Sequence, residues 1–399
     1  MSNIDTLKPP VRIPPAVWVL GFVSMLMDIS SEMIHSLLPV FMVTVLGTSA
    51  TTVGLIEGIA ESTALIVKVF SGVLSDHVGK RKWLAALGYG LGAATKPLFA
   101  MANGTGWIFT ARFIDRIGKG IRGAPRDALI ADVTPAGLRG AAFGLRQSLD
   151  TIGAFTGPLL AVGLMLLWHN DFRAVFWVAV IPGFLALALI LFGVSEPQAV
   201  ITAEKRPFPI SRAALGKLSS GYWWVVAIGA ALTLARFSEA FLVLRAQQGG
   251  LALALIPLVL VVMNVAYAAC AYPFGVLADR MRHRTLLMLG IVPLIVADGL
   301  LAHGSQLALV GAGLICWGVH MAATQGLLAA MVADTAPTDL RGTAFGLFNL
   351  ASGIAMLAAS VLAGVLWDRL GAAATFYGGA IFAGIALLLL FIRRETKQT

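Results

Sequence analysis

The chain has 399 residues, of which 58% are hydrophobic and only 12% charged, and its formal net charge is +9. Roughly a quarter of a soluble domain is charged, so this sequence lacks the polar surface to coat the core it would have to bury, and a water-soluble globule is excluded. The positive charge is no nucleic-acid footprint, because Lys and Arg recur in clusters between alternate apolar runs, the positive-inside pattern of a polytopic membrane protein.

A membrane span takes about 20 apolar residues. Such runs fall at 16–44, 51–74, 84–102, 105–130, 140–168 and 172–194, then at 222–246, 252–277, 285–303, 306–333, 342–368 and 372–392. They predict an all-α membrane protein with twelve transmembrane helices. The stretch SEPQAVITAEKRPFPISRAALGKLSS is the only long polar segment. The expected organisation is therefore an N-terminal six-helix bundle over 1–194, a linker over 195–220 and a C-terminal six-helix bundle over 221–399. Lys80, Arg81, Lys82, Arg139, Lys205, Arg206, Arg280, Arg282, Arg284, Arg341 and Arg393 share one side with both termini, against little beyond Arg173 and Arg369 on the other. That asymmetry makes both termini and the linker cytoplasmic in a multi-pass protein of the cell (inner) membrane. Residues 1–15 are polar and proline-rich, so no cleavable signal is expected before the first span. Cys270 and Cys316 lie in apolar runs without pairing spacing, which implies neither a disulfide framework nor a zinc site.

The two sets of six are related. ADVTPAGLRGAAFGL at 131–145 matches ADTAPTDLRGTAFGL at 333–347, and GVLSD at 72–76 matches GVLAD at 275–279, at offsets of 202 and 203. Paired six-helix halves that rock about a midplane site are a recurrent transporter architecture.

These residues resemble the major facilitator superfamily over essentially the whole length. The segment from Gly72 through Asp76, Gly79, Lys80 and Arg81 to Lys82 is similar to the signature loop between helices two and three. Its second copy keeps Gly275, Asp279 and Arg280 but has Arg282 where the first has Gly79. The glycines are expected to allow close packing, Asp76 to sit at a helix end and the basic run to anchor the membrane face. The resemblance makes these the conformational-switch loops. Arg112 to Gly120 resembles the fourth-helix motif, departing from it at Asp115, Arg116 and Lys119, and Gly153 to Pro158 resembles the fifth-helix motif of exporters without its trailing glycine pair. DRIGKGIRGAPRDALIAD at 115–132 is similar to a prokaryotic subgroup of uncharacterised transporters.

Charges at membrane depth are expensive and mark function or mutual pairing. At 100° per residue, Asp28, Glu32 and His35 share one face of the first run, within about 60°. Glu57, Glu61 and Lys68 share a face of the second, and Arg112, Asp115, Arg116, Lys119, Arg122 and Arg126 lie within about 120° in the fourth. Arg146 and Asp150 are one turn apart in the fifth, and Lys96 lies in the third, where it can snorkel or pair with an acid. The second half offers Arg236 and Glu239, read as an internal ion pair or a substrate contact, with Asn264, His320 and Gln325 as polar companions. Two acids one turn apart with no base on their stripe are the arrangement that lets a carboxyl exchange a proton during a cycle, so the proton-coupling set is Asp28, Glu32, His35 and Glu61. The substrate-binding or gating set is Arg112, Asp115, Arg116, Arg146, Asp150, Arg236 and Glu239. Met25, Met27, Met33, His35, His320 and Met321 show no repeated spacing, so no metal site is expected.

No HExxH, GxSxG or GxxxxGK[ST] occurs, so neither an enzyme nor a built-in ATPase is expected, and no cofactor. The reading is a secondary transporter of a small solute, working by alternating access, proton-coupled and leaning to efflux by H+ antiport. Its alternatives are an importer of a small metabolite or metal ion, sodium in place of protons, or a non-transporting receptor of the same fold. The expected partners are a small-molecule or ion substrate, protons and the lipid bilayer, with the monomer as the working unit.

Overall fold

The computed structural model describes residues 13–196, 216–304, 306–324, 326–337 and 340–392. The side chains of Asp76 and Asp279, residue Gln325, the linker over 197–215 and both chain ends, with the expectations placed on them, lie outside the described residues. Twelve spans follow in chain order. They are α1 (Pro15–His35, continuing as Leu38–Thr44), α2 (Ala50–Val78), α3 (Arg81–Ala100), α4 (Thr105–Val133), α5 (Arg139–Leu167) and α6 (Phe172–Gly193). The second set is α7 (Ser220–Ala235, continuing as Ala240–Gln248), α8 (Leu258–Arg280), α9 (His283–His303), α10 (Leu307–Thr324, continuing as Leu327–Thr335), α11 (Arg341–Leu370) and α12 (Ala372–Ile392). Among the described residues nine helices are apolar enough by composition to cross a membrane, and α2, α3 and α4 are not among them. Those three carry the polar stripes, and they are placed as spans by the neighbours that enclose their charges.

The halves repeat one packing scheme. In the first, α1 lies against α5 and α6, α2 against α4, and α3 against α4 and α6; in the second, α7 lies against α11 and α12, α8 against α10, and α9 against α10 and α12. The halves meet where α2 packs on α11, where α5 packs on α8, and where the second pieces of α1 and α7 touch. Small residues allow this closeness. A Cβ added to Gly157 of α5 would stand 2.8 Å from the Glu32 Cβ, and one added to Gly54 of α2 would stand 2.1 Å from the Ser360 carbonyl oxygen of α11.

The signature-loop glycines work differently from the expectation of close packing. Gly275 has nothing within 4 Å of an added Cβ, and Gly72 meets only Ala124 at an ordinary 3.7 Å. Gly79 is needed for its backbone: it ends α2 at φ 66°, the left-handed conformation that glycine adopts without penalty. Arg81 pairs with Asp132 at the end of α4, and the Lys82 ammonium donates to the Leu191 carbonyl at 2.8 Å, so the basic run ties its own half together.

At the end of the bundle far from the termini, one side chain bridges the halves. Asp368 of α11 accepts from the backbone N–H groups of Ala50 at 3.1 Å and Thr51 at 2.7 Å, the first turn of α2. A helix N-terminus offers unsatisfied donors and a positive dipole end, so the carboxylate latches the far end shut. We predict that Asp368→Ala lowers the closed-to-open ratio of that end about fivefold, the equivalent of roughly 1 kcal/mol for a partly exposed charge-assisted cap. Spin labels at Val45 and Gln248, in a chain whose Cys270 and Cys316 are replaced by serine, should then show a larger population at long distance. An unchanged distance distribution would remove the latch role.

Candidate functional site

The site lies between the halves, where the polar faces of α1, α2 and α4 meet the interruption in α7. It begins with an ionic network inside the first half. Arg112 of α4 forks onto Glu57 of α2, its Nε donating to Oε1 at 3.0 Å and its Nη2 to Oε2 at 2.6 Å. Glu61, one turn further along α2, is shared by Arg112 at 3.6 Å and Arg116 at 3.2 Å. Arg116 also places Nη2 2.9 Å from the ring nitrogens of His35. Arginine has only donors, so His35 accepts there. Behind this layer the fully buried Lys96 of α3 donates to Asp115 of α4 at 2.9 Å and to Ser31 of α1 at 3.0 Å. Glu57, Asp115, Arg112 and Arg116 are each less than 5% exposed. Charges so far from water persist because each has an opposite partner in good geometry.

Two cavities run through this region. The first, of about 300 Å³, is enclosed by Glu32, His35, Glu57, Glu61, Arg112, Arg116 and Lys119 on the first-half side and by Arg236, Phe237, Glu239 and Trp317 on the other. The second, of about 670 Å³, lies on the terminus side of the first and is lined by Asp28, Lys68, Arg122, Arg126, Asp150, Asn264 and Tyr267 among others. Glu32, Glu61 and Lys119 border both, so they form the partition between them.

Of the expected residues, Asp28, Glu32, His35, Glu61, Arg112, Arg116, Asp150, Arg236 and Glu239 border these cavities. Asp115 and Arg146 do not. Arg146 is tied to Asp150 at 3.0 Å and to Asp127 at 3.6 Å. Lys96 pairs with Asp115 and so does not snorkel. The internal pair expected between Arg236 and Glu239 is absent: no contact within 4.0 Å joins them. The reason is local. The first piece of α7 ends at Ala235, Arg236 adopts φ −107° and ψ 69°, and the helix restarts at Ala240, so a spacing of three does not stack the two side chains. Neither the Arg236 nor the Glu239 side chain has a hydrogen bond or ion-pair partner among the described residues, and both residues line the cavity.

Sequence reasoning missed Asp298 and Trp317. Asp298 of α9 is fully buried, with no partner for either carboxylate oxygen among the described residues. It lies beside the Phe237 ring, both within 3 Å of a Cβ added to Gly379. A lone acid within the apolar run 285–303 was the available signal. Trp317, packed 5.6 Å from Phe237 between ring centroids, gives none, since aromatic residues are common in such runs.

Comparison with known proteins agrees with this geometry. The family model described as Major Facilitator Superfamily matches residues 20–249 and 240–399. An uncharacterized MFS-type transporter of Methanocaldococcus jannaschii is 35% identical over 386 residues, covering 94% of each chain. Among solved structures, the nucleoside transporter NupG superposes with a TM-score of 0.74 at 15% identity, covering 95% of this chain and 98% of that one. A D-xylose–proton symporter superposes with a TM-score of 0.72 at 16% identity, covering 96% and 98%. These likenesses show the fold.

The network makes a stability prediction. Lys96→Met removes the closest partner of the buried Asp115 carboxylate, leaving His35 at 4.0 Å and the neighbouring arginines, and loss of one partner of a buried pair costs up to about 3–5 kcal/mol. The purified variant should melt well below wild type. Lys96→Met combined with Asp115→Leu should recover most of the loss, because replacing both partners by apolar groups is close to neutral. A single variant as stable as wild type would show that the pair carries no structural burden.

Proposed function

This chain belongs to the major facilitator superfamily, and from that premise we propose that it is a proton-coupled secondary transporter that exports a small solute by alternating access. The observation that carries the coupling is a difference among the acids. Glu57, Glu61 and Asp150 on the cavity walls are each held by arginine. Asp28 and Glu32, one turn apart on α1, touch neither lysine nor arginine within 4.0 Å among the described residues, and Glu32 has only the His35 ring, the acceptor from Arg116, at 3.8 Å. A carboxylate locked to a guanidinium cannot trade its charge for a proton without stranding the arginine, whereas Asp28 and Glu32 can. Their placement supports a relay, since Asp28 lines only the second cavity and Glu32 borders both.

Gly153 and Gly157 bring α5 onto α1 at these two acids, for an added Cβ would lie 3.0 Å from the Asp28 Cβ and 2.8 Å from the Glu32 Cβ. The resemblance of that segment to an exporter motif supports the outward direction. The proton in the name of the structurally similar D-xylose symporter is compatible with this coupling ion. A cell-membrane location with cytoplasmic termini, and a monomer as the working unit, complete the reading. A non-transporting receptor is the less economical alternative, because the exchangeable acids would then have no use.

The test is solute-driven proton movement in proteoliposomes carrying a trapped pH dye. Metabolite pools added to one side should collapse an imposed pH gradient with wild-type protein. Asp28→Asn with Glu32→Gln should cut that response at least tenfold while exchange of labelled solute across the membrane continues. The coupling assignment fails if the double variant still moves protons at the wild-type rate. A response of the wild type to sodium alone would make the same residues cation ligands.

A further inference from the structure

The first cavity is chemically two-sided. On the first-half wall the cations Arg112 and Arg116 are consumed by Glu57, Glu61 and His35. On the opposite wall the side chains of Arg236 and Glu239 make no hydrogen bond and no ion pair within 4.0 Å, to each other or to any described residue. Both are presented by the interruption of α7 between Ala235 and Ala240, so neither can find the other by the ordinary turn of a helix. Around them, Ser238 apart, the wall is apolar: Phe237, Val243, Leu260, Trp317 and Met356.

Resting on the transport reading above, we propose that the solute is a zwitterion with an apolar body, its carboxylate taken by Arg236 and its ammonium by Glu239. The charge balance carries the assignment. An anionic solute would neutralise Arg236 and leave Glu239 without a counter-charge; a cationic solute would do the reverse. Only a ligand bearing both signs satisfies both groups at once, and charge at membrane depth is favoured where it is paired. Arginine suits a carboxylate because its planar fork makes two parallel bonds to it. The apolar wall accommodates the body between the charges, and about 300 Å³ suits a small metabolite. Lys119 borders both cavities at the partition and makes no ion pair within 4.0 Å among the described residues.

The experiment reads thermal stabilisation of the purified full-length protein in detergent, because a ligand of the folded state raises apparent stability. The probes are leucine, γ-aminobutyrate and ε-aminocaproate, which differ in charge separation. Each is matched with its monoanion (isocaproate, butyrate, caproate) and its monocation (isoamylamine, propylamine, pentylamine). At least one zwitterion should stabilise the protein saturably, with an apparent affinity about tenfold or more above both of its matched ions, a difference of about 1.4 kcal/mol or more. Arg236→Gln should abolish that preference and spare the response to the amine, Glu239→Gln should spare the response to the carboxylate, and Arg236→Lys should retain part of the zwitterion response. Both glutamine variants should melt near wild type without ligand, since neither residue leaves a partner behind. Equal stabilisation by monoanion or monocation, or silence of every zwitterion, overturns the proposal. The measurement involves neither flux nor a pH gradient, so a negative result here leaves proton coupling standing, and a failed coupling test leaves this binding result standing.

Discussion

Charge buried away from water must meet opposite charge, and the first half of this molecule is organised around that requirement. The fork of Arg112 onto Glu57 and the contact of Lys96 with Asp115 join α2, α3 and α4, the three spans more polar than the other nine. Each of these helices is viable at membrane depth only with the others in place. Close backbone approach makes the pairing possible: Gly118 of α4 is so near α3 that an added Cβ would lie 2.6 Å from the Gly88 carbonyl oxygen. A sub-ångström separation of α3 from α4 would lengthen the bonds of Lys96 and expose an uncompensated charge, so the network resists partial opening.

The second half keeps the architecture and changes the chemistry. At the repeat offset of 202, His35 corresponds to Phe237, Asp115 to Trp317 and Lys96 to Asp298. The ion pair of Lys96 with Asp115 thus has an acid and an aromatic ring as its counterparts, Asp298 and Trp317, and both lie beside the Phe237 ring. Phe237 also meets Phe241 and Phe376 at centroid distances of 5.7 and 5.6 Å. Dispersion and apolar packing hold this half, which demands less exact geometry than paired charge. One consequence is a division of labour across the cavity. A cross-linked wall faces an aromatic wall on which the side chains of Arg236 and Glu239 have no ion-pair partner among the described residues.

Alternating access requires that some contacts break while others persist. The ionic layer within the first half is suited to persist, because all its partners move together as one bundle. The contacts between halves are of another kind: glycine-mediated van der Waals packing of α2 on α11 and the cap from Asp368 onto the first turn of α2. These are short-range and can be exchanged for lipid or water without stranding a buried charge. The interruptions fall where movement would concentrate, since α1 breaks after His35 and α7 after Ala235, corresponding places in the two halves. His35 and Arg236 flank those breaks and line the cavity, so a change of helix angle there reaches the site directly.

Hydropathy and repeat spacing, both local properties of the chain, determined the spans, their division into two sets of six and the superfamily resemblance, because solvation in lipid selects apolar runs wherever they occur. The same locality exposed the polar faces of α1, α2 and α4, since residues one turn apart share a side whatever surrounds them. Only the tertiary structure decided which of those charges are spent. Arg112 meets Glu57 across 55 residues and Arg116 meets His35 across 81, distances in sequence that helix periodicity cannot bridge. The pairing expected of Arg236 and Glu239 failed for the opposite reason: their spacing suits an unbroken helix, and α7 is interrupted between them. Asp298 and Asp368 gave only the signal of an acid in an apolar run. Whether such an acid is buried or caps a neighbouring helix depends on which backbone comes within hydrogen-bonding reach, and that is fixed by how the twelve helices pack.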